Sequence, residues 1–149
     1  MNNWPQISID MSKSPTMCFA CGQENPIGLK LKFRKEKEIV TTEFTPHKLF
    51  QGWAGLVHGG IIACLLDEAM SYAAYLNGIS CITAKMQVRL RRLVLVDEPL
   101  VVTGTITRRT RKLVETRADI SLKDGTLVAQ GTATMFVIDT KPKDEDDAA

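Results

Sequence analysis

The amino-acid sequence predicts an α+β fold, in which one long helix packs against an antiparallel sheet of about six strands. Only one segment, from about residue 60 to 76, has helical periodicity, and the chain after it alternates apolar and polar residues with period two. At about 100° per residue, the apolar arc of this helix covers roughly half its circumference. The sheet must therefore curl around the helix to bury that arc.

Six strands are predicted from the alternation and from the turn residues that separate them. They are residues 29–33, 39–44, 82–90, 100–107, 113–122 and 126–138. Asp124-Gly125 joins the last two strands as a tight hairpin. In the strand after the helix, the alternation places Thr83 on the polar face, and its break at Arg91-Arg92 indicates a bulge or bend.

The helix carries two acidic residues within an otherwise apolar segment, where an uncompensated carboxylate is costly. It is predicted to end at Asn77-Gly78, a pair that favours the left-handed conformation of helix ends. Asp67 lies opposite the apolar arc among small residues, which leave room for a ligand or another backbone. Glu68 lies further round the helix, and we interpret it as a structural residue held by a hydrogen bond or an ion pair.

A chain of 149 residues suits one domain, which we place at residues 18–140. Residues 1–17 contain two prolines and little periodicity, and they are predicted to form an N-terminal arm. Residues 141–149 form a charged run that is predicted to remain solvated and disordered.

The composition argues against several classes of function. A formal net charge of +2 and an aromatic content of 6% are too low to indicate nucleic-acid binding. No segment is apolar for long enough to span a bilayer, and the N-terminus lacks the basic start and apolar stretch of a signal peptide. The four cysteines are expected to be free thiols, so we expect a cytoplasmic protein.

The glycines at the helix start indicate chemistry at a carbonyl group. Gly59 and Gly60 lack side chains, so an incoming oxygen can approach their N–H groups, where the helix also carries a partial positive charge. These are the parts of an oxyanion hole. Asp67 can then attack the carbonyl carbon or deprotonate a water that attacks it.

The length of the helix prevents one chain from using both groups on one substrate. Gly59 and Asp67 are eight residues apart, which is about 12 Å at about 1.5 Å per residue. Two antiparallel helices related by a two-fold axis bring the start of each helix to the middle of the other. The sequence therefore predicts a homodimer, or a dimer of dimers (a homotetramer), with active sites shared between subunits.

Several motifs occur together between Cys18 and Ile138. They are the His-Gly-Gly opening of the helix, the acid nine positions after that histidine, and the segments 18–22, 25–29 and 50–52. Together with the strand-rich second half, they resemble the hotdog-fold acyl-CoA thioesterases, in particular the PaaI-like branch. The resemblance implies a hotdog fold, with a curved antiparallel sheet wrapped around the helix, and hydrolysis of an acyl-CoA to a free carboxylic acid and coenzyme A.

The resemblance also implies roles for individual residues. Asp67 matches the catalytic carboxylate of the family, acting as nucleophile or general base, and Gly59 matches the glycine whose N–H polarises the thioester carbonyl. His58 is implied to position that carbonyl or its loop, and Thr83 to help hold the attacking water. The family usually has Asn or Gln six residues before the histidine, where this chain has glycine, so Gln51 is the nearest candidate for the orienting amide.

Coenzyme A, in such enzymes, lies along the surface with its phosphates bound by basic side chains. The candidates are Arg89, Arg91 and Arg92 on one strand and Arg108, Arg109, Arg111 and Lys112 around one turn. The resemblance implies no cofactor, because coenzyme A is part of the substrate.

Cys18 and Cys21 have the spacing of half a zinc site, but zinc needs four ligands. The sequence has no second Cys-x-x-Cys pair, since Cys64 falls within the helix and Cys81 before a strand, and His47 is the main remaining candidate. We therefore expect no metal site.

Two other functions suit part of the same residues. A hotdog dehydratase or hydratase would need a histidine opposite an acid across the site, which the His-Gly-Gly placement disfavours. A non-catalytic acyl-CoA-binding protein would keep the groove and the basic residues, and Asp67 would then be a structural residue at an interface.

Overall fold

The computed structural model describes residues 15–138, in which six strands and one long helix form. The strands are β1 (Arg34–Glu36), β2 (Ile39–Phe44), β3 (Cys81–Leu90), β4 (Leu100–Arg109), β5 (Leu113–Leu122) and β6 (Leu127–Val137). The helix α1 spans Gly59–Tyr75, and a short 3-10 helix precedes it at Lys48–Phe50. Most of the predicted arm and the whole of the predicted tail lie outside the described residues.

All six strands pair antiparallel in one curved, unclosed sheet with the order β1-β2-β4-β5-β6-β3. The predicted α+β architecture is therefore confirmed. Although β3 directly follows α1 in the chain, it pairs with β6 and forms one edge of the sheet. Between residues 15 and 138, no helix is both long and apolar enough to cross a membrane.

The core lies between α1 and the inner face of the sheet. Its fully buried large side chains include Leu65, Leu66 and Met70 from the helix and Val102, Ile120 and Met135 from the strands. The helix comes closest to the sheet at Gly104 of β4, where any side chain would overlap the backbone of Ala69. A glycine at this position therefore allows α1 to lie directly on the sheet.

The turn residues act as the sequence predicts. Gly78 adopts a φ of +78°, and its N–H donates to the Tyr75 carbonyl at 3.0 Å, which ends the helix. Gly125 adopts a φ of +91° in the hairpin between β5 and β6. After β3, the N–H groups of Arg91 and Arg92 both donate to the Val128 carbonyl, which is the predicted bend.

The prediction of a strand at residues 29–33 is wrong. The N–H groups of Leu29 and Leu31 donate to the carbonyls of Phe19 and Ala20, at 2.8 and 2.9 Å, instead of pairing with a strand. Both leucine side chains are buried in the core. The segment alternates apolar and polar residues because its two leucines anchor the preceding loop to the core. The first strand begins at Arg34.

The prediction that Thr83 lies on the polar face of its strand is also wrong. The pairing of β3 with β6 shifts between Thr83 and Lys85, so Ala84 is an extra, bulged residue. This bulge places Thr83 on the inner face, towards α1, and Val88 further along lies on the same face, opposite Gly131. The sequence does not reveal this bulge, because apolar and polar residues continue to alternate through Ala84 although the faces they point to are exchanged there.

Candidate active site

Asp67 and Thr83 meet where α1 crosses the edge strand. The Thr83 hydroxyl donates a hydrogen bond of 2.7 Å to Asp67 Oδ1, and both residues are half-buried. Because the hydroxyl hydrogen is directed to the carboxylate, the other carboxylate oxygen and the Thr83 lone pairs can contact a water molecule. The structure therefore brings two predicted site residues together, by way of the bulge at Ala84.

The surroundings of Asp67 are open on one side. Its neighbours one turn away on α1 are Ala63 and Ser71, both small and half-buried. Beyond Thr83 the sheet ends, because β3 has no further strand beside it among the described residues. A ligand or a second chain can therefore approach the carboxylate from the sheet edge.

The helix start offers one free backbone donor rather than the two predicted. His58 is the N-terminal cap of α1, and its Nδ1 accepts a hydrogen bond of 2.8 Å from the Gly60 N–H. Within residues 15–138, the Gly59 N–H has no hydrogen-bond acceptor. Gly59 is exposed, so this single N–H, at the positive end of the helix dipole, is available to an incoming oxygen.

Gln51 lies in the loop that leads to the helix start. Its side-chain oxygen accepts a hydrogen bond of 3.1 Å from the Gly55 N–H, and its backbone bridges Val57. The loop is also joined to α1 through a hydrogen bond of 2.9 Å from the His58 N–H to the Phe50 carbonyl. The Gln51 oxygen thus stabilises the loop, and only its amide nitrogen remains to orient a substrate or a water.

A groove of about 690 Å³ lies beside the helix start. Its lining includes Trp53, His58, Gly59, Leu90 and Leu93. Trp53 is 85% exposed and Leu93 is 69% exposed, so the rim is apolar and uncovered in one chain. Asp67 is not among the described residues that line the groove. The groove therefore holds the free donor of the predicted site and not its carboxylate.

The predicted phosphate-binding residues form two separate groups. Arg91 and Arg92 line the groove, where they bond to Gln130 at 2.8 Å and to Glu98 at 3.0 Å respectively, while Arg89 is exposed near the end of β3. The second group, Arg108, Arg109, Arg111 and Lys112, is exposed on the β4–β5 turn. That turn lies beyond the start of β3, so one strand length of about 30 Å separates the groups within a chain.

Glu68 points to a different region from Asp67. Its carboxylate oxygen and the sulfurs of Cys18 and Cys21 all lie within 4.8 Å of one another, and the three residues are half-buried. Burial raises the pKa of Glu68 above its usual value, and the adjacent Cys21 thiol partly counters this effect. Burial likewise raises the pKa of Cys21 to about 12. The structure thus places Glu68 beside two thiols of its own chain.

Sequence reasoning missed the proximity of Glu68 to the cysteine pair. These residues are more than 40 positions apart, and no periodicity connects a loop residue to one position on a distant helix. The predicted candidate, His47, lies elsewhere, since its Nδ1 caps the short helix by accepting from the Leu49 N–H at 3.2 Å. In the sequence, only the Cys-x-x-Cys spacing, which is half of a zinc site, drew attention to this loop.

The single long helix across an open antiparallel sheet is the architecture of the hotdog fold, and solved structures share it. A hypothetical thioesterase from Streptococcus pneumoniae, solved with coenzyme A, matches with a TM-score of 0.70 and 20% identity over 75% of this chain and 88% of that chain. Escherichia coli PaaI, from the phenylacetic acid degradation operon, matches with a TM-score of 0.70 and 16% identity over 75% and 82% of the two chains. A solved thioesterase superfamily protein is 28% identical, with a TM-score of 0.74, over 79% of this chain and 61% of that chain.

The sequence comparison then identifies the family. The Thioesterase superfamily model matches residues 54–129, just over half of the chain, and the protein belongs to this superfamily. Over 58 residues, the chain is 34% identical to the human acyl-coenzyme A thioesterase THEM5. The aligned residues make up 39% of this chain and 24% of THEM5. The aligned segment therefore spans about a quarter of the length of that curated relative.

Proposed function

We propose that this protein is an acyl-CoA thioesterase, which hydrolyses the thioester of an acyl-CoA to a free carboxylic acid and coenzyme A. The observation that carries the proposal is the Thr83–Asp67 hydrogen bond at the open edge of the sheet. Membership of the Thioesterase superfamily supports the reaction. The similarity to THEM5, and to solved neighbours bound to coenzyme A or to acetyl-CoA, supports the class of substrate.

Asp67 is the proposed catalytic carboxylate, acting as general base or as nucleophile. As general base, it takes a proton from a water whose oxygen attacks the thioester carbon, and the C–S bond breaks as the proton passes to the departing sulfur. As nucleophile, a carboxylate oxygen of Asp67 attacks the thioester carbon and the C–S bond breaks to release coenzyme A, which leaves a mixed anhydride. Water then attacks the Asp67 carboxyl carbon of this anhydride, releases the free acid and restores the carboxylate. A single turnover in ¹⁸O-labelled water distinguishes these routes, because only the anhydride route transfers label into the enzyme.

Thr83 is the proposed positioning partner of that carboxylate. Two further structures of the pneumococcal protein carry alanine in place of an aspartate, or in place of a threonine 16 positions after it. Asp67 and Thr83 are the same residue types with the same separation of 16. The matching pair supports the assignment of both residues to the active site.

We further propose that the active enzyme is a homodimer joined through β3. Exposed edge strands pair readily with another chain, and β3 offers ten residues at such an edge. Its inner face also carries the apolar residues Met86, Val88 and Leu90, which are 36%, 37% and 54% exposed. Antiparallel pairing about a two-fold axis brings the Gly59 N–H of one subunit towards Asp67 of the other. In this arrangement the N–H stabilises the oxyanion while the carboxylate acts on water.

The same pairing accounts for the two groups of basic residues. In an antiparallel β3 pair, the end of β3 that carries Arg89 and Arg91 lies beside the start of the partner's strand. The β4–β5 turn of that partner, with Arg108 and Arg109, then lies at the same end of the combined sheet. We propose that these four arginines bind the coenzyme A phosphates, two from each subunit.

The two histidines argue against a dehydratase. His58 and His47 each use Nδ1 to accept a backbone N–H at the start of a helix. A histidine engaged as a cap is poorly placed to exchange protons with a substrate carbon.

We propose that the enzyme acts in the cytoplasm, because its four cysteines are free thiols. Cell fractionation with an antibody against the protein tests this location.

Hydrolysis of a panel of acyl-CoAs, aromatic and aliphatic with varying chain length, tests the proposed reaction by measuring the release of coenzyme A. We expect Asp67→Asn to lower kcat by about 10³-fold or more, with acyl-CoA binding retained. The matched control is Asp124→Asn, because Asp124 caps a surface turn that asparagine also suits. Full activity of Asp67→Asn, or hydrolysis of none of the panel by the wild-type protein, would contradict the proposal.

A further inference from the structure

Residues 15–31 form a compact loop that presents two cysteines to the side of α1. The Gly22 N–H donates to the Cys18 carbonyl at 2.8 Å, and the Cys21 N–H donates to the Cys18 sulfur at 3.4 Å. Any side chain at position 22 would overlap the backbone of Cys18, so the turn that closes around the thiols requires glycine. Asn25 holds the rest of the loop through bonds of 3.1 Å to the Met17 carbonyl and to the Ile27 N–H.

Glu68 brings a third metal-binding atom to this pair. The two sulfurs and one carboxylate oxygen lie within 4.8 Å of one another. Around a tetrahedral zinc ion, with bonds of about 2.3 Å to sulfur and about 2.1 Å to oxygen, ligand atoms are separated by about 3.5–3.8 Å. Side-chain rotations that shorten the longest separation by about 1 Å therefore suffice to bind an ion.

Glu68 has no ion-pair partner within the part of the chain that the structure describes. Cys64, one turn earlier on α1, and Tyr72, one turn later, border the cluster. Tyr72 also stacks on Phe33, with ring centroids 4.7 Å apart, which closes the region further. A cation bound by Cys18, Cys21 and Glu68 would stabilise the charged forms of their side chains.

We propose that the Cys18 and Cys21 thiolates and the Glu68 carboxylate bind one divalent ion of the zinc type, with a water molecule as the fourth ligand. Two thiolates select soft or borderline ions such as Zn²⁺ over Mg²⁺ and Ca²⁺. The hydrogen bond from the Cys21 N–H to the Cys18 sulfur is an outer-shell contact of the kind that orients metal ligands. The ion would attach the loop of residues 15–31 to α1 at Glu68, and this proposal does not depend on the proposed hydrolysis.

Titration of the reduced, chelator-treated full chain with Co²⁺ tests this site, because thiolate ligation of cobalt produces an intense charge-transfer absorption. We expect one Co²⁺ per chain, displacement of the cobalt by Zn²⁺, and a Tm that rises by about 5 °C in excess Zn²⁺. A wild-type protein with no charge-transfer band and an unchanged Tm would overturn the proposal.

Two variants assign the ligands. Cys21→Ser and Glu68→Gln are each expected to weaken Co²⁺ binding by at least about tenfold, with circular dichroism used to verify that each variant is folded. Cys81→Ser is the matched control, because Cys81 is also a half-buried free thiol but lies on β3, against Met135 of β6. Equal Co²⁺ binding by wild type and Cys21→Ser, or loss of binding in Cys81→Ser alone, would contradict the assignment.

Discussion

Asp67 and Glu68 are adjacent in the chain, but α1 directs them into two regions that are built differently. Asp67 faces the edge strand β3, where one hydroxyl, from Thr83, holds it and the side beyond the strand is open. Glu68 faces the protein's own loop, where Cys18 and Cys21 approach it and the ring of Tyr72 closes the region.

The difference shows how a rotation of about 100° between consecutive helix residues gives two carboxylates different surroundings. A buried carboxylate needs partners that offset its desolvation, and each of the two acids has a different kind of partner. Among residues 15–138, the Thr83 hydroxyl is the one hydrogen-bond donor to Asp67, which leaves this carboxylate with free oxygen lone pairs for a substrate or a water. Glu68 instead lies against two thiols of its own chain. An open side, more than burial of the acid, therefore distinguishes the candidate catalyst from its neighbour.

The largest effect on assembly and on kcat is expected from a charge placed on the inner face of β3, at the open side of Asp67. Val88→Lys puts an ammonium group on the inner face of β3, so we expect the dimer to dissociate and kcat to fall by about 10³-fold or more, since each monomer then holds half of each site. Light scattering after gel filtration gives the assembly state. Gln87→Lys, on the outer face of the same strand, should remain dimeric and active. An active Val88→Lys monomer would remove the need for a second subunit.

A smaller loss is expected when the backbone donor at the helix start is removed. Gly59→Pro deletes one N–H at the first helical position, where proline is tolerated, and the preceding residue, His58, has a ψ of 134° that suits proline. We expect kcat to fall by about 10²–10³-fold. In Gly59→Ala the added carbon meets only Leu90 at 3.7 Å, so activity should stay within about tenfold of wild type. Equal activities of the two variants would rule out the N–H as the oxyanion donor.

The hydroxyl of Thr83 should contribute less, because it positions the carboxylate without reacting. Thr83→Val removes the bond to Asp67 and keeps the shape of the side chain, and we expect kcat to fall by about 10–100-fold with little change in KM. Thr83→Ser should recover most of the activity. Equal kcat values for Thr83→Val and Thr83→Ser would show that the hydrogen bond between Thr83 and Asp67 has no role in turnover.

The smallest expected effect lies on the Glu68 side and concerns stability. Asn25→Ala removes the side-chain bonds that hold the loop around the cysteines, so we expect the free energy of unfolding to fall by about 1–2 kcal/mol. Asn25→Asp keeps the acceptor for the Ile27 N–H and should lose less. Denaturant titration measures both changes. An unaltered stability in Asn25→Ala would show that the loop is held by other contacts.

Much of the fold followed from local patterns in the sequence. The bounds of α1 lie within about one residue of those predicted, because an apolar stripe and a left-handed glycine define them. The strands after the helix were predicted with similar success. The strand at residues 29–33 was not, because buried leucines in an attached loop alternate in the same way as a strand.

The candidate site was predictable as a set of residues but not as an arrangement. The spacing along α1 indicated that Gly59 and Asp67 act from different subunits, and helix geometry alone carried that inference. The bulge at Ala84 that turns Thr83 inwards leaves no trace in the alternation. The capping of Gly60 by His58 is a local bond between residues two positions apart, but histidine is not among the preferred N-cap residues, so the sequence did not indicate it. The approach of Cys21 to Glu68 is a tertiary contact, which no spacing in one sequence reveals.

Mixing two inactive variants tests the shared active site most directly. Gly59→Pro and Asp67→Asn homodimers are combined, allowed to exchange subunits, and assayed for acyl-CoA hydrolysis, with exchange verified by native mass spectrometry. A random mixture holds half heterodimers, each with one intact site of two, so about a quarter of wild-type activity should return. A mixture that has exchanged subunits and remains inactive would contradict the shared site.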